Sequence, residues 1–181
     1  MDVVKRNVQD LGGRIGIKST PGKGSAISLT LPLTLAVMDG MVLSLGSETF
    51  IIPIASIVEC LRPQKGDIQK AGDGGDVLLL RGEIVPVLRL SDFFEIADAR
   101  DDLVNGVVVV VEVEGGAKLG LAVDDLLGQQ QVVIKSIEEN YGQIEGVGAA
   151  TILGNGQVAL ILDVDGFGRL GQTNGQARQV N

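Results

Sequence analysis

The sequence predicts a mainly β protein built from two small five-stranded barrels, preceded by a short helix and a β-hairpin. Three observations carry this. Hydrophobic residues make up 45% of the 181 positions but aromatics only 3%, so Val, Ile and Leu must fill the core, and β-branched side chains favour strands. Twenty-six glycines supply the tight turns that many short strands need. An internal repeat divides the region after residue 36 into two similar halves.

The opening segment, 1–11, sets Val4, Val8 and Leu11 at helical spacing, and Gly12-Gly13 ends it. Ile15 and Ile17 then alternate with small or polar residues, Pro21-Gly22-Lys23-Gly24 is a turn, and Ile27, Leu29 and Leu31 return as a second strand. Thirty-five residues bury too little surface to stand as a domain. They read as one edge of an α/β layer.

Residues 32–40 read as a linker that continues the strand direction, and within the expected regulatory domain, 36–170, the pattern is β from Met41 onward. Short turn-bounded runs at 41–45, 50–54, 77–80, 84–88, 107–113, 119–123, 132–134, 149–153 and 158–162 predict strands. Gly46-Ser47-Glu48, Arg81-Gly82-Glu83, Gly115-Gly116 and Gly154-Asn155-Gly156 are hairpin signals. Five consecutive valines, 107–111, suit a strand buried on both faces. The run 50–58 aligns with 119–127 at an offset of 69, and 82–90 aligns with 156–164 at an offset of 74. Each half therefore contains a hairpin, a short connection, a second hairpin and a helical stub. Barrels close the edges that units this small would otherwise expose, so the expectation is two linked SH3-like barrels. Residues 171–181 are polar without periodicity and are expected to form a disordered tail.

Charge and composition exclude several functions. The formal charge is −8, with residues 1–35 carrying five basic and two acidic side chains and the remainder ten basic and twenty-one acidic. The larger, acidic part repels a phosphate backbone, so no nucleic-acid partner is expected. No leader and no run of about 18 apolar residues is present, which predicts a cytoplasmic protein that does not itself insert in a membrane. Cys60 is the single cysteine and reads as a small buried hydrophobe. Histidine is absent, which removes histidine nucleophile relays, histidine metal ligands and a histidine phosphoacceptor from this chain. The carboxylate pairs Asp101-Asp102, Asp124-Asp125 and Glu138-Glu139 read as solvated loop charges. Asp163-Val164-Asp165-Gly166 begins like a calcium loop, but Asn174 stands where that loop needs Glu. The glycines around Lys23 miss the spacing of a P-loop. No catalytic constellation emerges from the residues themselves.

Two stretches together resemble a known family. Met1-Asp2-Val3-Val4-Lys5-Arg6-Asn7, Leu11-Gly12-Gly13 and Gly22-Lys23-Gly24-Ser25, followed by Leu31-Pro32-Leu33-Thr34-Leu35, are similar to the end of a GHKL-type ATP-binding domain. Asp124-Asp125-Leu126-Leu127-Gly128-Gln129 and Ala149-Ala150-Thr151-Ile152-Leu153-Gly154 are similar to a CheW-like regulatory domain. In this order they resemble the C-terminal part of the chemotaxis histidine kinases of the CheA family. The resemblance implies that 1–35 is a remnant of the ATP-binding layer, with Gly22, Gly24 and Ser25 matching the last glycine motif near the phosphates of Mg-ATP. The other ATP-site boxes are missing, so the chain is expected to hold no cofactor and to be no enzyme by itself. For 36–170 the resemblance implies two-component signalling by docking, with a CheW-type coupling protein, chemoreceptor cytoplasmic tips and the rest of the kinase as partners. Met41, Val42, Ile57, Val58 and Leu79 are the expected docking residues. Apolar residues in 1–35 would also permit self-association. Two other readings stand beside this one: an unrelated double-barrel adaptor, and a partial catalytic domain that regains ATP binding when upstream sequence is restored.

Overall fold

The computed structural model describes residues 2–10, 13–31, 37–72, 74–100, 102–135 and 144–177. The chain divides into two compact units between Val37 and Met38. In the first, helix α1 (Asp2–Asp10) precedes an antiparallel hairpin of β1 (Arg14–Thr20) and β2 (Gly24–Thr30). Gly13 lies where a Cβ would stand 2.7 Å from the Thr30 carbonyl oxygen and 2.8 Å from the Val8 side chain, so no larger residue fits. Val8 is buried, whereas Val4 is exposed; Leu11, the third expected member of that face, lies outside the described residues.

The second unit contains β3 (Val37–Leu45), β4 (Glu48–Pro53), β5 (Ile57–Leu61), β6 (Ile68–Lys70), β7 (Asp76–Leu80), β8 (Glu83–Arg89), α2 (Leu90–Phe93), β9 (Val107–Glu112), β10 (Lys118–Val123), β11 (Asp125–Val133), β12 (Val147–Ile152), β13 (Val158–Leu162) and α3 (Val164–Ala177). The mainly β expectation holds, but the strands are not shared out as two consecutive barrels. They form a six-stranded sheet, β5-β9-β10-β8-β7-β6, and a five-stranded sheet, β11-β3-β4-β13-β12. Neither sheet is a closed barrel. Both curl: Arg81, in the β7–β8 turn, reaches Glu59 of β5 at 3.0 Å, and Lys135 and Ala150 exchange backbone hydrogen bonds that draw β11 towards β12.

Each sheet takes one hairpin from each half of the repeat. The β9–β10 hairpin pairs in parallel with β8 through Gly120↔Val87 and Leu121↔Leu88. The β3–β4 hairpin pairs in parallel with β13 through Leu160↔Phe50 and Ile161↔Ile51. Applying the offsets of 69 and 74 converts Gly120↔Val87 into Ile51↔Ile161, so the two junctions are in the same register. The repeat is real, and its halves exchange hairpins. A side-chain pair seals each junction at repeat-equivalent positions: Lys118 donates to Glu83 at 2.7 Å, and the Gln157 amide donates to Thr49 Oγ1 at 2.9 Å.

Three apolar clusters follow from this cross-pairing. The largest lies between the sheets and includes Leu43, Phe50, Ile52, Val107, Val109, Val111, Leu121 and Phe167. Val42, Ile51, Val132, Ala159 and Ile161 fill the curl of the five-stranded sheet, and Leu78, Val85, Val108 and Val110 fill that of the six-stranded sheet. The valine run is therefore buried on both faces, alternating between the two clusters as strand geometry requires.

Several local expectations change. Helix α3 starts where the Asp163 carboxylate accepts from the Gly166 N–H at 3.1 Å and Phe167 anchors the first turn in the core, and it runs to Ala177, into the segment expected to be a tail. Residues 178–181 lie outside the described residues. Cys60 is exposed on edge strand β5, because only one neighbour, β9, covers that strand; the partial desolvation this leaves, followed by the charge of Glu59, raises its thiol pKa, so the thiol is not activated.

Asp76 clamps β6, β7 and β8. Its side chain is buried, with Lys70 Nζ at 2.7 Å and Arg89 Nε at 2.8 Å. Burial pushes its pKa up, but hydrogen bonds and charge from Lys70 and Arg89 outweigh this and hold the carboxyl below its ordinary range. A depressed carboxylate pKa stabilises the fold above the unfolded value near 4, and that stability is lost as pH falls through the folded value. Asp76→Asn is expected to cost about 2 kcal/mol at neutral pH. It should also flatten the acid limb of a Tm-against-pH profile, and an unchanged acid limb would show that Asp76 does not couple folding to pH.

Candidate docking surface

The expected docking residues separate by depth. Val42 is only 5% exposed and belongs to the core of the five-stranded sheet, so it cannot meet a partner; in β3 it points into the curl while its neighbours face the other way. Met41 and Ile57 are partly buried against the inter-sheet core. Val58 and Leu79 are exposed.

Leu79 belongs to a larger apolar face. In the β7–β8 hairpin Leu79 lies opposite Ile84, and Val77 lies opposite Pro86. Leu78 and Val85 alternate with them and point into the curl. Ile84 is 71% exposed, and Leu79 and Pro86 are also exposed. Leu88, two residues beyond Pro86 on the same strand face, packs on the inter-sheet core. The exposed face is thus the continuation of a face that the other sheet covers only in part.

The second half of the repeat carries the counterpart. In the β12–β13 hairpin Ile152 lies opposite Val158, and Ala150 lies opposite Leu160. Ile152 and Val158 are exposed, while Leu160 and Leu162 reach the inter-sheet core. Val158 is the repeat equivalent of Ile84, Leu160 of Pro86 and Leu162 of Leu88. Val58 likewise corresponds to Leu127, and both are exposed. Ile84, Ile152 and Val158 were missed by sequence reasoning, which could not tell the covered strand face from the open one. The available signal was the repeat itself, since it places apolar residues at matched positions of two hairpins.

Gly22, Gly24 and Ser25 come together on the exposed β1–β2 turn. The two glycines have φ of 78° and 98°, which explains glycine there, and the space around them is open. The Ser25 hydroxyl hydrogen-bonds the Ser19 hydroxyl at 3.1 Å. Among the described residues no group of acidic or sulfur side chains is arranged to hold a metal ion. Among the described residues no helix is long and apolar enough to cross a membrane.

The profile of the CheW-like domain matches residues 39–170. This chain belongs to the CheW-like domain family. The chemotaxis protein CheA of Rhizobium meliloti (strain 1021) is 48% identical over 165 residues, covering 91% of this chain and 22% of that protein. The chemotaxis protein CheA of Klebsiella aerogenes is 46% identical over 164 residues, covering 91% of this chain and 25% of that protein. The chain thus spans about a quarter of the length of these relatives. The crystal structure of the scaffolding protein TtCheW from Thermoanaerobacter tengcongensis superposes with a TM-score of 0.60, covering 70% of this chain and 88% of that one. At 21% identity this likeness speaks for the CheW-like fold. The chain is thus a CheW-like domain similar in sequence to a part of these chemotaxis proteins CheA.

Proposed function

We propose that this chain is the docking half of a chemotaxis histidine kinase, tying the kinase to a CheW-type coupling protein and, with it, to chemoreceptor cytoplasmic tips. The observation that carries the reading is the open apolar face of the β7–β8 hairpin, Leu79 and Ile84 above all. Apolar side chains held on a paired sheet cost little entropy to dock, and their removal from water supplies the driving force. In this reading the protein is cytoplasmic and reaches membranes only through its partners. Residues 1–35 are the last strip of an ATP-binding domain, and Gly22, Gly24 and Ser25 hold no Mg-ATP unaided, since phosphoryl transfer needs several convergent groups around metal and phosphate. The chain performs no reaction by itself, and a phosphoacceptor histidine must come from outside it because it has none.

Titration calorimetry with a CheW homologue tests the docking. Wild-type chain is expected to bind, and Leu79→Arg to weaken binding by about a hundredfold, as expected when a charge replaces an interface anchor. Val58→Arg reports whether β5 shares the surface. Equal affinity of Leu79→Arg and wild type would remove the β7–β8 face from the interface. Titration with an ATP analogue should give no heat; micromolar affinity would return the chain to the catalytic apparatus.

A further inference from the structure

We infer that Asn105-Gly106, in the loop that leads into β9, is a site of self-modification: the asparagine deamidates to aspartate and isoaspartate, and the change loosens the entry to the buried valine strand. The sequence holds three Asn-Gly pairs, Asn105-Gly106, Asn155-Gly156 and Asn174-Gly175. Asparagine is thermolabile, and a glycine after it presents a backbone nitrogen that no Cβ shields. Local sequence therefore treats these pairs alike. The tertiary structure separates the first two.

Asn105 is exposed in a turn. Among the described residues the Gly106 N–H, the nucleophile of the reaction, donates no hydrogen bond. The carbonyl oxygen of the same peptide accepts from Arg100 Nη1 at 3.4 Å. A guanidinium there draws electron density out of the peptide and makes its N–H more acidic. The Asn105 carboxamide donates from Nδ2 to Asp102 Oδ2, which restrains the reacting side chain on its own turn and lowers the entropy cost of attack. Asn155 is also exposed in a turn, but its neighbour is engaged: the Gly156 N–H donates to the Leu153 carbonyl at 2.9 Å. Asn155 Oδ1 accepts from the Gln157 N–H at 3.0 Å, which turns the carboxamide past Gly156. Both bonds must break before the Gly156 nitrogen can attack.

At Asn105 hydroxide removes the Gly106 amide proton, and the nitrogen forms a bond to Asn105 Cγ. The Cγ–Nδ2 bond breaks, and the amide group leaves as ammonia, leaving a succinimide. Water then opens the ring, at the side-chain carbonyl to give aspartate or at the main-chain carbonyl to give isoaspartate. Either product replaces a donor to Asp102 by a second carboxylate beside it, so a hydrogen bond becomes a like-charge contact. Isoaspartate also adds a methylene to the backbone just ahead of Val107, whose pairing with Val123 begins the β9–β10 ladder. The same loop carries the Arg100 N–H that Asp124 holds at 2.9 Å.

Peptide mapping by mass spectrometry after incubation in warm, mildly alkaline buffer tests this on the full chain. In the folded protein Asn105 should convert at least about tenfold faster than Asn155, the effect of two hydrogen bonds that must open first at Asn155. In urea the two sites should react at similar rates. Arg100→Gln should slow Asn105 roughly fivefold and leave Asn155 unchanged; should it lose structure by circular dichroism, the folded and unfolded rates of wild type decide alone. Asn105→Asp, which installs one product directly, should melt below wild type, whereas Asn155→Asp, which keeps an acceptor for Gln157, should melt with it. Equal rates at the two sites in the folded protein overturn the inference, as does a folded Arg100→Gln that deamidates like wild type. An Asn105→Asp protein with the wild-type Tm overturns the link to the entry of β9.

Discussion

Phe167→Ala is expected to cost about 4 kcal/mol of folding stability, enough to lower the Tm by more than ten degrees. All four phenylalanines of the chain meet in one cluster. Phe167 sits edge-on to Phe93 with ring centroids 5.1 Å apart and edge-on to Phe94 at 6.3 Å, while Phe94 stacks on Phe50 at 4.9 Å. Phe93 and Phe167 are equivalent positions of the repeat, as are Leu90 and Val164 at the starts of α2 and α3, so the two helical stubs pack against each other where the halves meet. The surroundings cannot collapse into the space left by Ala. Gly146 already lies so close that a Cβ would come 2.7 Å from the Phe167 ring and 2.8 Å from Phe93, and its φ of 81° holds that loop in a conformation only glycine adopts easily. Phe167→Leu, which refills most of the volume, should lose far less. Urea denaturation of both variants checks this; a Phe167→Ala protein within 1 kcal/mol of wild type would mean that α3 is not part of the core.

Asp124→Ala is expected to cost about 3 kcal/mol, because two backbone donors lose a charged acceptor in a largely water-excluded site. Asp124 was expected to be a solvated loop charge and is instead buried. One carboxylate oxygen accepts from the Gly46 N–H at 2.8 Å and the other from the Arg100 N–H at 2.9 Å. Asp98 adds a third tie, accepting from the Ser47 N–H at 2.9 Å. The β3–β4 turn is thereby fastened to the segment that leads into β9, and both are fastened to the end of β10. This is the crossing over which the halves exchange hairpins. Asp124→Asn retains one acceptor oxygen and should lose about half as much, whereas an exposed aspartate would show no difference among the three proteins. Asp125, its sequence neighbour, shows the contrast: it pairs with Arg62 at 2.9 Å with both side chains largely in solvent, where such a pair contributes little.

The two aspartates show where sequence reasoning stops. Adjacent carboxylates look alike in the chain, and only the distant turn at Gly46 decides which one is enclosed. The same holds along β3, where Met41 and Val42 are equally apolar. Strand alternation puts them on opposite faces, but when one face of a sheet enters a curl and the other meets a second sheet, hydrophobicity does not say which residue stays near solvent. Strand β5 was missed for a related reason: Glu59 and an exposed Cys60 interrupt its apolar pattern because it is an edge strand with one neighbour.

By itself the sequence determined the strand-rich character, most of the hairpins, the doubly buried valine strand and the twofold repeat with its offsets, because turn residues and apolar periodicity are local properties. It also carried the family, since the matching motifs are contiguous runs. Tertiary structure alone decided that the halves trade hairpins, and that Val42 is core while Leu79 and Ile84 are open. Parallel pairing between strands far apart in sequence, as in Val87 with Gly120 or Ile51 with Ile161, leaves no local signal. Exposure depends on how far one sheet extends over another, which no single strand encodes.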